Sequence, residues 1–249
     1  MTDWPQGYGR RVLERVDSTL DEAARLAPDL SGPEWILAHH QTAARGRRGR
    51  AWRFPKGNFA ATLVMHPKGS PAQAALRSFT ISLALYDACV ALTGRPEVFA
   101  LKWPNDVLLN GGKLAGILLE SMSQPGAGVT LFIGVGVNLV EAPDPGEVEE
   151  GAVRPVSLLS ETGARVEPEM LLTLLASAFD RYESQFRAYG FAPIRTAWLS
   201  RAARLGEVVT ARTGASETTG TFETVDETGA LVLKTAKGRV SIPAADVYF

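Results

Sequence analysis

The chain is poor in the residues on which disulfide frameworks, metal centres and histidine-driven hydrolysis depend. Its 249 residues include one cysteine, Cys89, and three histidines, His39, His40 and His66. A lone cysteine excludes an internal disulfide and fits a reducing compartment. Cys89 falls in an apolar helical pattern and reads as core filler rather than as a nucleophile. His39 and His40 are neighbours at the end of WILAHH, where a strand turns them to opposite faces, so they cannot share a metal ion. A net charge of -1 argues against a protein built to hold long nucleic acid. Charged residues interrupt every apolar segment before it reaches bilayer length, and Met1 to Arg10 lacks the basic-then-apolar order of a signal peptide. These absences predict a soluble, cytoplasmic protein that does not enter a membrane. With 45% hydrophobic residues, the chain can fill a substantial core.

What is present is concentrated. Between Gln41 and Asn58, Arg45, Arg47, Arg48, Arg50 and Arg53 alternate with Gly46, Gly49 and Gly57. Neither helix nor strand favours that mixture. Glycines let a chain curl and turn amide N–H groups inward, and guanidinium forks match phosphate and carboxylate oxygens. Trp52 and Phe54 follow at once, and then an apolar strand from Phe59 to Met65. A basic run threaded between core strands reads as a loop closing over a small polyanion rather than as a solvated tail.

Around this loop the elements alternate. Arg10 to Val16 reads as a strand, and Asp17-Ser18-Thr19 caps a helix to about Ala27 with Asp21 and Glu22 in its first turn. Position alone favours capping for Ser18 and Thr19. Ala72 to Leu92 reads as a long helix with one face on a sheet. Val98 to Trp103, Val107 to Leu109 and Leu114 to Glu120 read as strands, the last two joined by the turn Asn110-Gly111-Gly112 with Lys113 opening the return. Gly116, Gly134 and Gly136 fall inside strands, where glycine weakens a sheet unless something must approach closely. They suggest a sheet face cleared for a flat ligand. Glu141 to Arg154 reads as a surface loop, with helices over Pro168 to Tyr189 and Phe191 to Arg201. Beyond about Leu205 the texture changes to short strands joined by Gly and polar turns.

The blocks QTAARGRRGRAW, LKWPNDVLLNGGKLAGILLES and IGVGVNL, in this order, resemble those of the biotin–protein ligases. The leading VDSTLDEA and the closing TGALVL and DVYF are similar too, so the resemblance covers nearly the whole chain. It implies an α+β fold: a mixed, mostly antiparallel sheet with helices on one face over residues 1–205, then a small SH3-like β-barrel over 206–249. It also implies two steps, in which ATP and biotin give biotinyl-5′-AMP and biotin is then transferred to a carrier lysine. Mg²⁺ is the implied metal. The implied acceptor is the biotin carboxyl carrier domain of acetyl-CoA carboxylase or another biotin-dependent carboxylase.

By the same resemblance, Ser18, Thr19 and Gln41 match contacts to the ureido ring of biotin. Arg45, Gly46 and Arg47 match the part of the loop that folds over biotin and the adenylate phosphate, and Gly116 is grouped with the biotin contacts. Arg48 and Arg50 match residues placed toward ATP phosphates, Trp52 the aromatic packed on adenine, and Asn105 and Asn138 polar contacts to the nucleotide. Lys113 resembles the lysine at the carboxyl and bridging oxygens of the adenylate. Arg45, Arg47 and Lys113 are the implied catalytic residues. Asp106 is a candidate for holding Mg²⁺ or a loop arginine, with a structural role equally open.

Two positions depart from the family pattern: Ala44 stands where a glycine precedes the first loop arginine, and Leu20 where an asparagine follows Ser-Thr. Both predict tuned affinity rather than lost activity. Too few residues precede Asp17 for the winged helix with which some family members bind DNA, so no DNA binding is expected. Homodimer formation is left open. A lipoate or octanoate ligase of the same superfamily is the nearest rival. A nucleotide- or RNA-binding module is the rival from another class, disfavoured by the near-zero charge. Mutually repelling arginines are expected to keep residues 44–53 mobile until an adenylate orders them.

Overall fold

Two sheets share one continuous apolar core in the computed structural model, which describes residues 3–124, 128–144, 146, 148, 151–214 and 216–249. The first sheet has seven strands: β1 (Gly9–Leu13), β2 (Glu34–Ala38), β3 (Phe59–Met65), β4 (Phe99–Lys102), β5 (Asp106–Leu109), β6 (Gly112–Gln124) and β7 (Gly128–Val137). Their spatial order is β1-β2-β3-β7-β6-β5-β4. Only β1 and β2 pair in parallel; the other neighbours are antiparallel, so the sheet is mixed and mostly antiparallel as expected. β1 ends at Leu13, and Val16 makes only an isolated bridge to Gln41.

Alternation along the strands sends large apolar side chains to one face. Trp35 and Leu37 of β2, Leu63 of β3 and Ile133 of β7 are wholly buried there, under α3 (Arg77–Thr93), α5 (Pro168–Tyr189) and α6 (Phe191–Leu199). Burying each such side chain contributes about 1.5–3 kcal/mol. The opposite face carries Ile36, Val64 and Phe132, covered by Leu20 and Ala23 of α1 (Thr19–Leu26). Helices are therefore not confined to one side, and the α1 side is the one on which the cavity opens.

The helix expected from Ala72 to Leu92 is two, α2 (Pro71–Ala75) and α3, meeting at Leu76. Ser70 and Gln73 form a capping box for α2. Phe79 through Leu85 are buried without interruption, because α5 and α6 cover the side of α3 turned away from the sheet. Pro71 to Thr93 is long and apolar enough to cross a membrane by length and composition, contrary to the expectation that no stretch would be; here it is the central core helix. Cys89 is buried in it, and burial pushes its thiol pKa up to about 12.

Asn110 and Gly111, both at positive φ (48° and 75°), make the tight turn from β5 to β6. After β7, Ser157 caps α4 (Leu158–Thr162). Of the expected surface loop from Glu141 to Arg154, residues 145, 147, 149 and 150 lie outside the described residues.

The second sheet comprises β8 (Val208–Arg212), β9 (Glu217–Val225), β10 (Leu231–Thr235), β11 (Gly238–Ile242) and β12 (Asp246–Tyr248), in the order β11-β10-β9-β8-β12. Among the described residues, β11 and β12 do not pair to close it into a barrel. The Trp103 indole N–H donates to Gly229 O at 3.0 Å, and Gly229 packs on Leu76 and Phe79, which docks this sheet onto the first.

Candidate functional site

Strand register builds the floor of the site. Thr62 of β3, Gly134 of β7 and Leu118 of β6 form one cross-strand row, and Ala60, Gly136, Gly116 and Asp106 form the next. Residues two apart share a face, so these rows lie side by side on the face that carries α1. Because three of the seven positions are glycine, a trough runs across the middle of the sheet. Two side chains are laid into it. A Cβ on Gly134 would meet Leu20 at 3.0 Å, and one on Gly136 or Gly116 would meet the Trp52 indole at 3.0 or 3.3 Å. The flat group that these glycines admit is thus Trp52 itself.

The remaining space is a cavity of about 550 Å³. One end is polar. Ser18 caps α1, its Oγ accepting from Leu20 N at 3.2 Å; Thr19 N donates to Gln41 Oε1 at 2.7 Å; Thr62 Oγ1 donates to Thr19 Oγ1 at 2.9 Å. Ser18 and Thr19 are buried, and both line the cavity, so capping and lining the cavity are the same placement. The middle is apolar, walled by the side chains of Leu20 and Leu118 over the backbone of the glycine-bearing strands.

The other end is cationic. The arginine loop folds as a small hairpin in which Gly46 N bonds Arg50 O and Trp52 N bonds Ala44 O, with a 3₁₀ turn over Arg47–Gly49 at its tip. Arg48 and Gly49 take positive φ there (57° and 72°), whereas Gly46 is extended. The arginines do not simply repel one another, because carboxylates are set among them. Arg45 pairs with Glu120 and, at 2.6 Å, with Asp21; these hydrogen bonds, Glu120 first, raise its pKa. Arg47 Nη1 reaches Asn105 Oδ1 at 3.3 Å, and Asn105 Nδ2 is fixed to Ile117 O at 2.6 Å. Lys113 lies 5.7 Å from the Trp52 ring centroid, its Nζ 2.8 Å from Asp106.

Comparison with known proteins identifies the family. The Biotin/lipoate A/B protein ligase family matches residues 12–138, and the Biotin protein ligase C terminal domain matches residues 205–249. The chain belongs to the biotin/lipoate protein ligase family. A biotin–[acetyl-CoA-carboxylase] ligase of Paracoccus denitrificans is 58% identical over 96% of this chain and 99% of its own length. The bifunctional ligase/repressor of Bacillus subtilis is 31% identical over 95% of this chain, which spans 73% of that relative. The Aquifex aeolicus biotin protein ligase, solved with biotin and ATP, superposes with a TM-score of 0.81 at 26% identity, covering 96% of this chain and 97% of that one.

Most residues that the family resemblance singled out converge on the cavity. Ser18, Thr19 and Gln41 line its polar end, and Arg45, Gly46, Arg47, Arg50 and Trp52 its loop side; Asn105, Lys113 and Gly116 complete it. Three do not line it. Arg48 pairs with Asp246 at 2.6 Å without lining the cavity itself. Asn138 is buried behind the end of β7, where its Nδ2 bonds Val156 O at 3.1 Å, so a direct nucleotide contact does not fit its placement. Asp106 lies beneath the site, holding Lys113 and, at 3.8 Å, Lys102; it holds lysines, not a loop arginine. Among the described residues, no group of three or more His, Cys, Asp or Glu side chains could cage a metal. Sequence reasoning missed Asp246, which lines the cavity from the second sheet, and the carboxylates Asp21 and Glu120. Nothing local marks these residues, since each meets its arginine across the fold.

Proposed function

We propose that this chain is an ATP-dependent biotin–protein ligase acting on the carrier domain of a biotin-dependent carboxylase, acetyl-CoA carboxylase first. The observation that carries the reading is one cavity with a hydrogen-bonding end at Ser18, Thr19 and Gln41, an apolar middle, and a cationic end at Arg45, Arg47 and Lys113. A bicyclic urea on an aliphatic carboxylate has that order of chemistries. The 58% identity to the Paracoccus ligase, with its sequence of blocks, favours biotin over lipoate.

In the first step the biotin carboxylate attacks the α-phosphate of ATP, forming the acyl–phosphate bond of biotinyl-AMP as pyrophosphate leaves. Two anions must meet, so the protein's task is to offset charge and hold the reactants in line. The loop guanidiniums and Lys113 supply fixed positive charge where phosphate oxygens accumulate it. In the second step a carrier lysine, as free amine, attacks the acyl carbon; AMP departs and the amine proton passes to solvent or base. Lys113, steadied by Asp106, is placed to bear the charge of the departing phosphate. No serine or cysteine nucleophile is required, because the substrate's own carboxylate attacks.

Mg²⁺ does not fit Asp106 as a dedicated ligand, since two lysines already share that carboxylate. In this reading the ion arrives on the polyphosphate, whose oxygens it prefers. The ligand-binding body is assigned to residues 1–205 and the C-terminal sheet to 206–249. The loop arginines face a small cavity and nearby carboxylates rather than an open basic surface, so no DNA-binding role is assigned to them. The buried, unreactive Cys89 suits the cytoplasm.

The test mixes protein, ATP, Mg²⁺ and a folded biotin carrier domain with biotin or lipoate in parallel, and weighs the carrier by mass spectrometry. An ATP-dependent biotin adduct on lysine is expected. A lipoyl adduct alone would overturn the substrate, and no adduct with either acid would overturn the ligase reading.

A further inference from the structure

The tip of the arginine loop is anchored outside the body that binds the ligand. Asp246 opens β12, held in register with Arg212 of β8 and flanked by the buried Ala245 and Val247. Its Oδ1 lies 3.2 Å from Arg47 Nη1, and its Oδ2 lies 2.6 Å from Arg48 Nη1 and 3.9 Å from Arg50 Nη2. Arg47 Nη2 also donates to Ala245 O at 3.4 Å. The stem of the loop is held separately, by Arg45 on Glu120 and Asp21.

Three guanidiniums thus gather at one carboxylate. Each guanidinium carries five N–H donors, so Arg47 and Arg48 together offer far more than two carboxylate oxygens can satisfy. A polyphosphate offers more charge and more acceptor oxygens to the same forks. Asp246 also lines the cavity, so guanidiniums held on it can reach a ligand there without a long movement.

We propose that Asp246 is a positioning residue for the ligase reaction. In the ligand-free protein it latches the loop tip to the C-terminal sheet, and it keeps that hold on binding, while the spare N–H donors of the same guanidiniums take the polyphosphate of ATP. The proposal rests on the ATP-dependent reading above for its second half; the latch itself does not. By holding the hairpin curled in advance, the latch reduces the ordering that nucleotide binding must supply.

Hydrogen exchange of a peptide spanning residues 44–53, read by mass spectrometry, tests it. Asp246→Asn is expected to speed loop exchange about tenfold in ligand-free protein, Arg48→Ala by a smaller factor, and Asp246→Glu hardly at all. Biotin with ATP should restore protection in Asp246→Asn. In carrier biotinylation, KM for ATP should rise about three- to tenfold in Asp246→Asn with kcat within about twofold, and Asp246→Glu should recover it. Unchanged loop exchange in Asp246→Asn, or an equal rise throughout β8 and β9, would overturn the latch. Should Asp246→Asn not fold, Arg48→Ala decides: unchanged loop exchange in it overturns the latch as well. If loop exchange rises as expected but wild-type protein gains no protection from ATP, the latch stands and the contact to the polyphosphate falls. Absence of carrier biotinylation by the wild type counts against the ligase reading instead.

Discussion

Lys113 and Asp106 meet at 2.8 Å across the turn-linked strands β5 and β6, with Lys102 3.8 Å from the other oxygen of the same carboxylate. Asp106 and Lys102 are nearly buried, whereas the Lys113 side chain is about one-third exposed (31%). Burial lowers the Lys102 pKa, opposed by the nearby Asp106 charge. One carboxylate therefore serves a buried structural lysine and a lysine turned to the cavity, and the two roles can be separated.

Lys113→Ala should lower kcat for carrier biotinylation by about 10²–10³-fold, the usual cost of losing a fixed charge at a reacting oxyanion. Its unfolding free energy should move by less than about 1 kcal/mol, because the lost pair is partly solvated. Asp106→Asn should do the reverse in stability, costing about 3–5 kcal/mol by leaving Lys102 buried without its counter-charge. Urea titrations beside steady-state rates distinguish the two variants; equal destabilisation would contradict the assignment.

Gly136→Ala places a methyl 3.0 Å from the Trp52 indole on a rigid strand. The ring must lift, so stability should fall by about 1–3 kcal/mol, the usual cost of overpacking. Tryptophan emission should shift red, and affinity for ATP should drop. Emission and affinity both unchanged would show that Trp52 is not seated on the glycine trough.

Arg77 and Glu183 form an ion pair between α3 and α5 at 2.6 Å, each side chain 4% exposed, with the guanidinium 4.9 Å from the Phe186 ring centroid. Burial raises the Glu183 pKa, though Arg77 opposes the shift. Glu183→Ala should cost about 3–5 kcal/mol, whereas Arg77→Met with Glu183→Leu should cost far less or stabilise. Chemical denaturation of both variants measures the difference.

Asp17 precedes the α1 cap and is drawn down from 3.8 to about 2, first by hydrogen bonds from Arg25 and then by the Ser18 N–H. A folded-state pKa below the unfolded one means that its contribution is complete above pH 3.8. That contribution is lost as pH falls from there to about 2. A carboxyl titration followed by NMR should place Asp17 near 2 in wild type and closer to its ordinary value in Arg25→Ala.

Local chemistry made much of this protein legible. Short apolar runs mark β3 and β7, Ser18 caps α1 in place, and Asn110-Gly111 turns β5 into β6, because these depend on neighbours along the chain. The strand glycines announced a close approach but not its partner, which proved to be Trp52 and Leu20. The motif alone does not say that Asn138 is buried with its Nδ2 on Val156 O, a partner that lies across the fold. The long core helix hid its break at Leu76, because Leu76 keeps helical backbone angles and neither glycine nor proline marks the junction.

By itself the sequence determined the family, most strands and the long helices, and the arginine-rich composition of one end of the site. Those follow from residue types in order, and they hold wherever the chain finally packs. Tertiary structure alone decided what those arginines face. Arg45 meets Glu120 from β6, and Arg47 meets Asp246 from a separate sheet, 199 residues further along the chain. Charge pairing acts over a few ångströms of space and is indifferent to separation in sequence, so only the folded chain could assign the partners.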